Sequence, residues 1–126
     1  MAEPEVINWC CGEHPFRLRI GEAEALDDLT GQGMLDFRWR IATGLERGSL
    51  AYSPVKVREV VECIRLGLIG GSMDSAQARK LALRAFEEGE FSELVTICFT
   101  ITSSCLAGKD HDTPGKPVAA EATPTG

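Results

Sequence analysis

The side chains best able to do chemistry stand near the N-terminus, where Cys10, Cys11 and His14 lie close together in the sequence. Thiolates and imidazoles are the ligands that zinc prefers, but a structural zinc site normally has four of them, and no second pair with zinc spacing follows. The alternative is two buried thiols and a histidine in a surface turn. We favour this alternative and predict no metal.

No catalytic constellation accompanies these residues. Neither His14 nor His111 has a serine or cysteine nucleophile in a recognisable elbow. The glycine-rich residues 67–71 superficially resemble a phosphate loop, yet they follow a predicted helix and lack the Gly-Lys-Ser/Thr ending. The acidic residues near position 90 are those of a solvated helix end. We therefore predict neither an enzyme nor a cofactor.

Composition narrows the remaining classes. The 126 residues include 13 Lys+Arg and 19 Asp+Glu, for a formal charge of −6. That balance argues against nucleic acid as a partner, because binding to phosphates depends on Lys and Arg. A chain of this length fits one domain with its own core. The 44% hydrophobic content is spread along the chain and provides no stretch of about 20 apolar residues that would span a membrane.

The compartment is predicted from the N-terminus and the cysteines. The first residues are acidic and are followed by no apolar run of the secretory type. Five cysteines are an odd number, and in a cytoplasmic protein they are kept reduced and act as small buried hydrophobic residues. We expect a cytoplasmic protein without disulfides.

The elements that would carry any site are mostly helical. Residues 6–20 predict a hairpin with strands at 6–10 and 16–20 around the breaker residues 12–15, because Phe16, Leu18 and Ile20 alternate with arginines. Helices are predicted at about 22–30, 34–43, 54–69, 75–88 and 92–107. Ser53 and Pro54 are expected to open the third of these. The fold class is α+β, mainly α, with one domain at 1–108.

Two segments need separate comment. Residues 95–102 alternate and are β-branched, as in a strand, but residues 94, 97, 98, 101 and 105 also form a helical stripe. We predict a helix, because a strand of about 15 residues exceeds the usual length. Residues 109–126 are rich in proline, glycine and threonine and predict a disordered tail.

The order of these elements resembles the gene transfer agent family of small phage tail proteins. The resemblance is carried by the strand at 16–20, the Glu-Ala-Leu-x-x-Leu motif at 24–29, and a helix that ends in Gly-Leu-x-Gly-Gly at 67–71. It covers about residues 13–108. The threonine-rich last helix departs from the family pattern, in which alanine and leucine are more typical. The resemblance implies a tail tube protein or a tail assembly chaperone.

We favour the chaperone, whose partners would be the tape measure protein and the tail tube protein, with self-association left open. A tube subunit normally needs a long sheet that closes into a ring, and this chain offers one short hairpin. A chaperone would act in the cytoplasm of the bacterial host and be absent from the mature particle. A structural tail component is the first alternative, and an unrelated small cytosolic regulator or enzyme is the second.

The candidate partner-binding residues are Phe37, Trp39, Leu66 and Leu68. Phe37 and Trp39 are two positions apart and cannot share a helix face, so an inward Phe37 implies an exposed Trp39, which is a good anchor for a partner. Alternatively, Trp39 covers the core edge under the loop at 45–52. Leu66 and Leu68 could form the lip of a groove or belong to the core. Gly67, Gly70 and Gly71 form the turn of the family motif.

Overall fold

The computed structural model describes residues 3–107 and confirms the predicted fold class, a hairpin followed by helices. The predicted disordered tail at 109–126 lies outside the described residues. The elements in chain order are β1 (Glu5–Trp9), β2 (Gly12–Phe16), α1 (Ile20–Leu29), α2 (Met34–Glu46), a 3-10 helix (Leu50–Tyr52), α3 (Val57–Gly70), α4 (Ser75–Glu88) and α5 (Phe91–Ala107).

The hairpin is shorter than predicted, and its second strand was placed wrongly. β1 pairs antiparallel with β2, with Trp9 opposite Gly12 and Glu5 opposite Phe16, so the expected breaker residues 12–15 are themselves the strand. The backbone at 17–19 has no strand partner, because the Arg17 N–H donates to the carbonyl oxygen of Gly67 on α3 at 3.0 Å. The alternating pattern predicted the burial of Phe16 and Leu18 correctly, but the backbone between them bonds to the end of α3 and not to another strand.

The start of α3 also differs from the prediction. Ser53 does not cap this helix, since its hydroxyl donates to the Ile41 carbonyl of α2 at 2.8 Å. The helix begins at Val57, and Glu59 accepts a hydrogen bond from the Lys56 N–H at 2.8 Å in the manner of a capping box. Ser53 and Pro54 therefore belong to the connection between α2 and α3.

The last two helices agree with the sequence. α4 spans the predicted residues, and Asp74 accepts hydrogen bonds from the N–H groups of Ala76 and Gln77 at its start. α5 is a helix, not a strand. Its threonine hydroxyls donate to carbonyl oxygens four residues earlier, as Thr102 does to Cys98 at 2.7 Å, which satisfies them inside the helix.

The core forms around α3, which packs against α1, α4, α5 and β2. Its fully buried side chains include Phe16 from the hairpin, Phe37 from α2, Leu68 from α3 and Ile101 from α5. Of the five cysteines, all of them free, Cys63 and Cys98 are buried as predicted. Cys10 is exposed, contrary to the prediction, because it lies in the hairpin turn.

Gly67, Gly70 and Gly71 form a seam along which the β2–α1 connection crosses α3. A Cβ atom on Gly70 would overlap the carbonyl group of Arg17, and one on Gly71 would overlap that of Pro15. A Cβ on Gly67 would lie 2.8 Å from the Ile101 Cδ1 atom and 3.1 Å from the Phe16 ring. The family motif is therefore a close backbone contact between the hairpin and α3, as well as a helix end.

Replacing Gly70 by alanine should lower the free energy of unfolding by at least about 1–3 kcal/mol, because the new methyl group meets backbone that cannot move aside. Gly21→Ala in α1 is the matched control. No atom lies within 4 Å of its added Cβ, so this variant should be at least as stable as the wild type. Denaturant unfolding measures both, and equal stabilities for the two variants would contradict the seam.

Candidate partner-binding surface

The structure separates the two aromatic residues of α2 as the sequence predicted. Phe37 is fully buried in the core, whereas the Trp39 side chain is 66% exposed. The alternative in which Trp39 covers the core edge is wrong, because a covering residue would not leave two thirds of its surface in water. Trp39 is therefore free to contact another molecule.

Two further apolar side chains accompany Trp39. Leu35 lies one helical turn earlier on the same side of α2 and is 69% exposed, and Leu106, near the end of α5, is 42% exposed. Leu35 and Leu106 line a cleft of about 230 Å³ with Ala23, Glu24, Asp27 and Met34. We call Leu35, Trp39 and Leu106 the Trp39 surface.

The cleft that Leu35 and Leu106 line has acidic residues on its α1 side. These residues are Glu24 and Asp27, and α1 contains no lysine or arginine. Arg38 of α2 is turned toward α5, where it donates to the Ser103 hydroxyl at 2.9 Å and lies over the Phe99 ring. The apolar surface thus has an acidic rim on the side of α1.

Leu66 and Leu68 do not take part in this surface. Both are buried in α3, within the core that α3 shares with its neighbours. The prediction that they form the lip of a groove is wrong for this conformation, and their alternative role as core residues is the one observed. Any partner contact through them would require the core to open.

Sequence reasoning missed Leu35 and Leu106. The spacing of Leu35 and Trp39, four residues apart on a predicted helix, was a readable signal for Leu35. Leu106 joins the surface only because α5 packs against α2, which no local pattern reveals.

An ion network fixes α2, and with it Trp39, against α3. Arg40 donates to both carboxylate oxygens of Glu59, at 2.9 and 2.8 Å, and also to Asp36 at 2.8 Å and to the Pro54 carbonyl at 3.1 Å. Such a bidentate pair with little exposed surface has a defined geometry as well as a favourable energy.

The network shifts the acid–base behaviour of both partners. The hydrogen bonds to Glu59 raise the pKa of Arg40 above its ordinary value. Burial alone would raise the pKa of Glu59, but the hydrogen bonds from Arg40 and from the Lys56 N–H outweigh it and hold this pKa below its ordinary value. A cleft of about 430 Å³ lies beside this pair. The charges of Arg40 and Glu59 are already paired with each other, so neither needs a ligand in the cleft.

The hairpin turn brings together the thiols that the sequence raised as metal ligands. The Sγ atoms of Cys10 and Cys11 are 3.6 Å apart. Partial desolvation of the thiol in the turn and, after it, the hydrogen bond with Cys11 raise the pKa of Cys10 to about 11. His14 Nδ1 accepts a hydrogen bond from Trp9 Nε1 at 2.9 Å. Among residues 3–107, no three His, Cys, Asp or Glu side chains are placed to hold a metal ion.

Glu59→Gln should lower the free energy of unfolding by about 2–3 kcal/mol at pH 7, because it leaves Arg40 without its buried carboxylate. The folded-state pKa of Glu59 lies below its ordinary value of 4.5, so the carboxylate stabilises the fold above about pH 4.5. That contribution disappears as the pH falls through the folded-state pKa. Urea unfolding of both proteins from pH 7 to pH 3 should therefore show the gap between them closing.

Glu88→Gln is the control for this charge removal. Glu88 pairs with Arg84 on the open surface of α4, where an ion pair contributes little to stability. A gap between wild type and Glu59→Gln that stays constant down to pH 3 would contradict the assigned pKa direction.

No helix within residues 3–107 has both the length and the apolar character needed to cross a membrane. Comparison with models of protein families gave a match. A family model described as "Phage tail tube protein, GTA-gp10" matches residues 6–108. Searches of the curated proteins and of the solved structures found no match.

The matched segment runs from the first strand past the last described helix, and it contains the glycine seam and the Trp39 surface. The resemblance predicted from the order of the motifs is thus confirmed, and the chain belongs to the gene transfer agent family of phage tail proteins.

Proposed function

We propose that this tail protein is a tail assembly chaperone, which binds the tape measure protein while tube subunits assemble around it. The observation that carries the proposal is the Trp39 surface, with Leu35 and Trp39 each about two thirds exposed on one side of α2. Exposing apolar side chains of this size to water has an unfavourable hydration free energy, and burying them against a partner recovers it. Large side chains of this kind are typical anchors for protein partners.

The shape and charge of the surface favour a helical partner. Leu35 and Trp39 are one turn apart, and Leu35 borders a cleft with Leu106, so an amphipathic helix can lay its apolar side along α2. The acidic residues Glu24 and Asp27 would face basic residues on that helix. The net charge of −6 keeps the complex in solution while the apolar contact is made.

A structural tail component is the second candidate, because the matching family is described as a tail tube protein. Against a tube role, the sheet within residues 3–107 has two strands, and β2 lies against α3. A sheet that continues around a ring needs two open edges on every subunit. The geometry therefore supports the chaperone better.

An enzymatic role has the least support. The buried ion pair of Arg40 and Glu59 is satisfied within the protein, and the pKa of Cys10 is raised, which disfavours the nucleophilic thiolate. We propose a non-catalytic protein that acts in the host cytoplasm before the particle is complete.

The binding surface is tested by co-expressing the chain with the tape measure protein of the same particle and measuring the affinity of the purified pair. Trp39→Ala should weaken binding by roughly 30-fold, the effect of losing an aromatic anchor worth about 2 kcal/mol. Leu83→Ala, which removes a 42% exposed leucine from α4, is the matched control and should bind like the wild type. Equal affinities for all three proteins would contradict the assignment of the surface.

The chaperone role is separated from the structural one by analysing finished particles. A chaperone should be missing from purified tails, as judged by quantitative mass spectrometry. Its presence at the stoichiometry of a tube subunit would overturn the chaperone proposal and support the structural alternative.

A further inference from the structure

The two edges of the hairpin differ in how they are covered. β2 lies against the end of α3, where the Pro15 carbonyl meets Gly71 and the Arg17 N–H bonds to Gly67. β1 is placed beside α5, and its residues Val6 and Asn8 are exposed. Within residues 3–107, no backbone hydrogen bond reaches the edge of β1 that faces away from β2, and in this part of the chain that edge is open.

Pro15 determines which backbone groups of β1 face this open edge. Val6 stands opposite Pro15, and because proline has no N–H, the two form a non-hydrogen-bonded pair. Pairs of the two kinds alternate along antiparallel strands, so Asn8 and Glu13 form another non-hydrogen-bonded pair. The N–H and C=O groups of Val6 and Asn8 therefore point away from β2.

A groove of about 210 Å³ lies between β1 and α5. Its lining is apolar at Ile7, Trp9 and Ile97, and Glu93 supplies a negative charge. Natural edge strands are normally protected by lysine, by proline or by a covering segment. β1 carries neither lysine nor proline, and its Val6 side chain is 64% exposed.

We infer that β1 accepts an extended segment of another protein as a third strand. The backbone of that segment pairs with the outward N–H and C=O groups of Val6 and Asn8, and its alternate side chains are apolar where they enter the groove between Ile7 and Ile97. A lysine or arginine in the segment faces Glu93. The occupant is thus a short, extended, cationic segment with apolar residues at every second position.

Charge favours such a segment over a second copy of this chain. Each copy carries a net charge of −6, and pairing β1 with itself would bring two grooves that each contain Glu93 together. The strand site uses none of the residues Leu35, Trp39 and Leu106. Its occupancy is therefore independent of the proposed function.

The experiment uses a synthetic nonapeptide in which valine alternates with threonine between terminal lysines, titrated into the full chain. Amide hydrogen exchange by NMR should slow at least about tenfold at Val6 and Asn8, because their N–H groups become hydrogen-bonded. Exchange at Ile7 should not change, since its N–H already belongs to the ladder with β2. Protection at Ile7 with none at Val6 and Asn8, or no binding by the peptide, would overturn the inference.

Two controls separate backbone pairing from non-specific adhesion. In the same peptide, N-methyl groups on alternate amides remove the N–H donors along one of its two edges, and that edge should no longer pair with β1. A version with terminal glutamates in place of the lysines should bind more weakly. In the protein, Val6→Pro removes one outward N–H and should weaken peptide binding by about tenfold, whereas Val6→Thr keeps the N–H and should bind like the wild type.

Circular dichroism tests whether the Val6→Pro and Val6→Thr variants are folded. If either variant is unfolded, the N-methylated peptides still test backbone pairing on the wild-type chain. Analytical ultracentrifugation of the wild type tests the other possible occupant, which is a second copy of this chain. A dimer that the Val6→Pro change abolishes would place a second copy on β1 and overturn the assignment of a foreign segment.

Discussion

The close approach of the β2–α1 connection to α3 is the contact on which the rest of the fold depends. Gly67 and Gly70 on α3 and Gly71 directly after it have no side chains that would hold this backbone away, and the Gly67 carbonyl accepts the N–H that strand pairing would otherwise use. The contact ends β2 at Phe16 and sets the start of α1. Phe16 is delivered to the core by the same crossing, so the hairpin is part of the hydrophobic unit and not an appendage.

The position of α2 follows from a second constraint, which is polar. Arg40 ties α2 to α3 through Glu59 and to the connecting segment through the Pro54 carbonyl. Phe37 is thereby held in the core, and Trp39, on the other side of the helix, is held in water. The exposure of Trp39 is thus a fixed property of the fold and not the result of a mobile segment. A preorganised anchor of this kind binds with a smaller loss of conformational entropy than one that must be ordered by its partner.

Much of this fold could be predicted from the sequence, and the failures have physical causes. The ranges of α4 and α5 could be predicted, because side chain–backbone bonds such as those of Asp74 and the helical spacing of apolar residues act within a few residues. The second strand was misplaced because alternating burial has two possible causes, a sheet or a connection that crosses a helix. Ser53 was expected to cap α3, but its hydroxyl donates to the carbonyl oxygen of Ile41, which lies 12 positions earlier. Trp39 was found because helix geometry alone separates it from Phe37, whereas Leu106 depended on the packing of α5 against α2.

The threonine-rich sequence of α5 has a consequence for the unfolded chain. Residues 95–102 contain no charge and no proline and are mostly β-branched, which is the composition of segments that stack into cross-β assemblies. In the native protein the helix buries five of these eight residues and turns their threonine hydroxyls back onto its own carbonyl groups. Native packing therefore also keeps this segment from pairing with other chains. A chain that loses α5 from the core releases its most aggregation-prone stretch, so the lifetime of the folded state matters to this protein as much as its equilibrium stability.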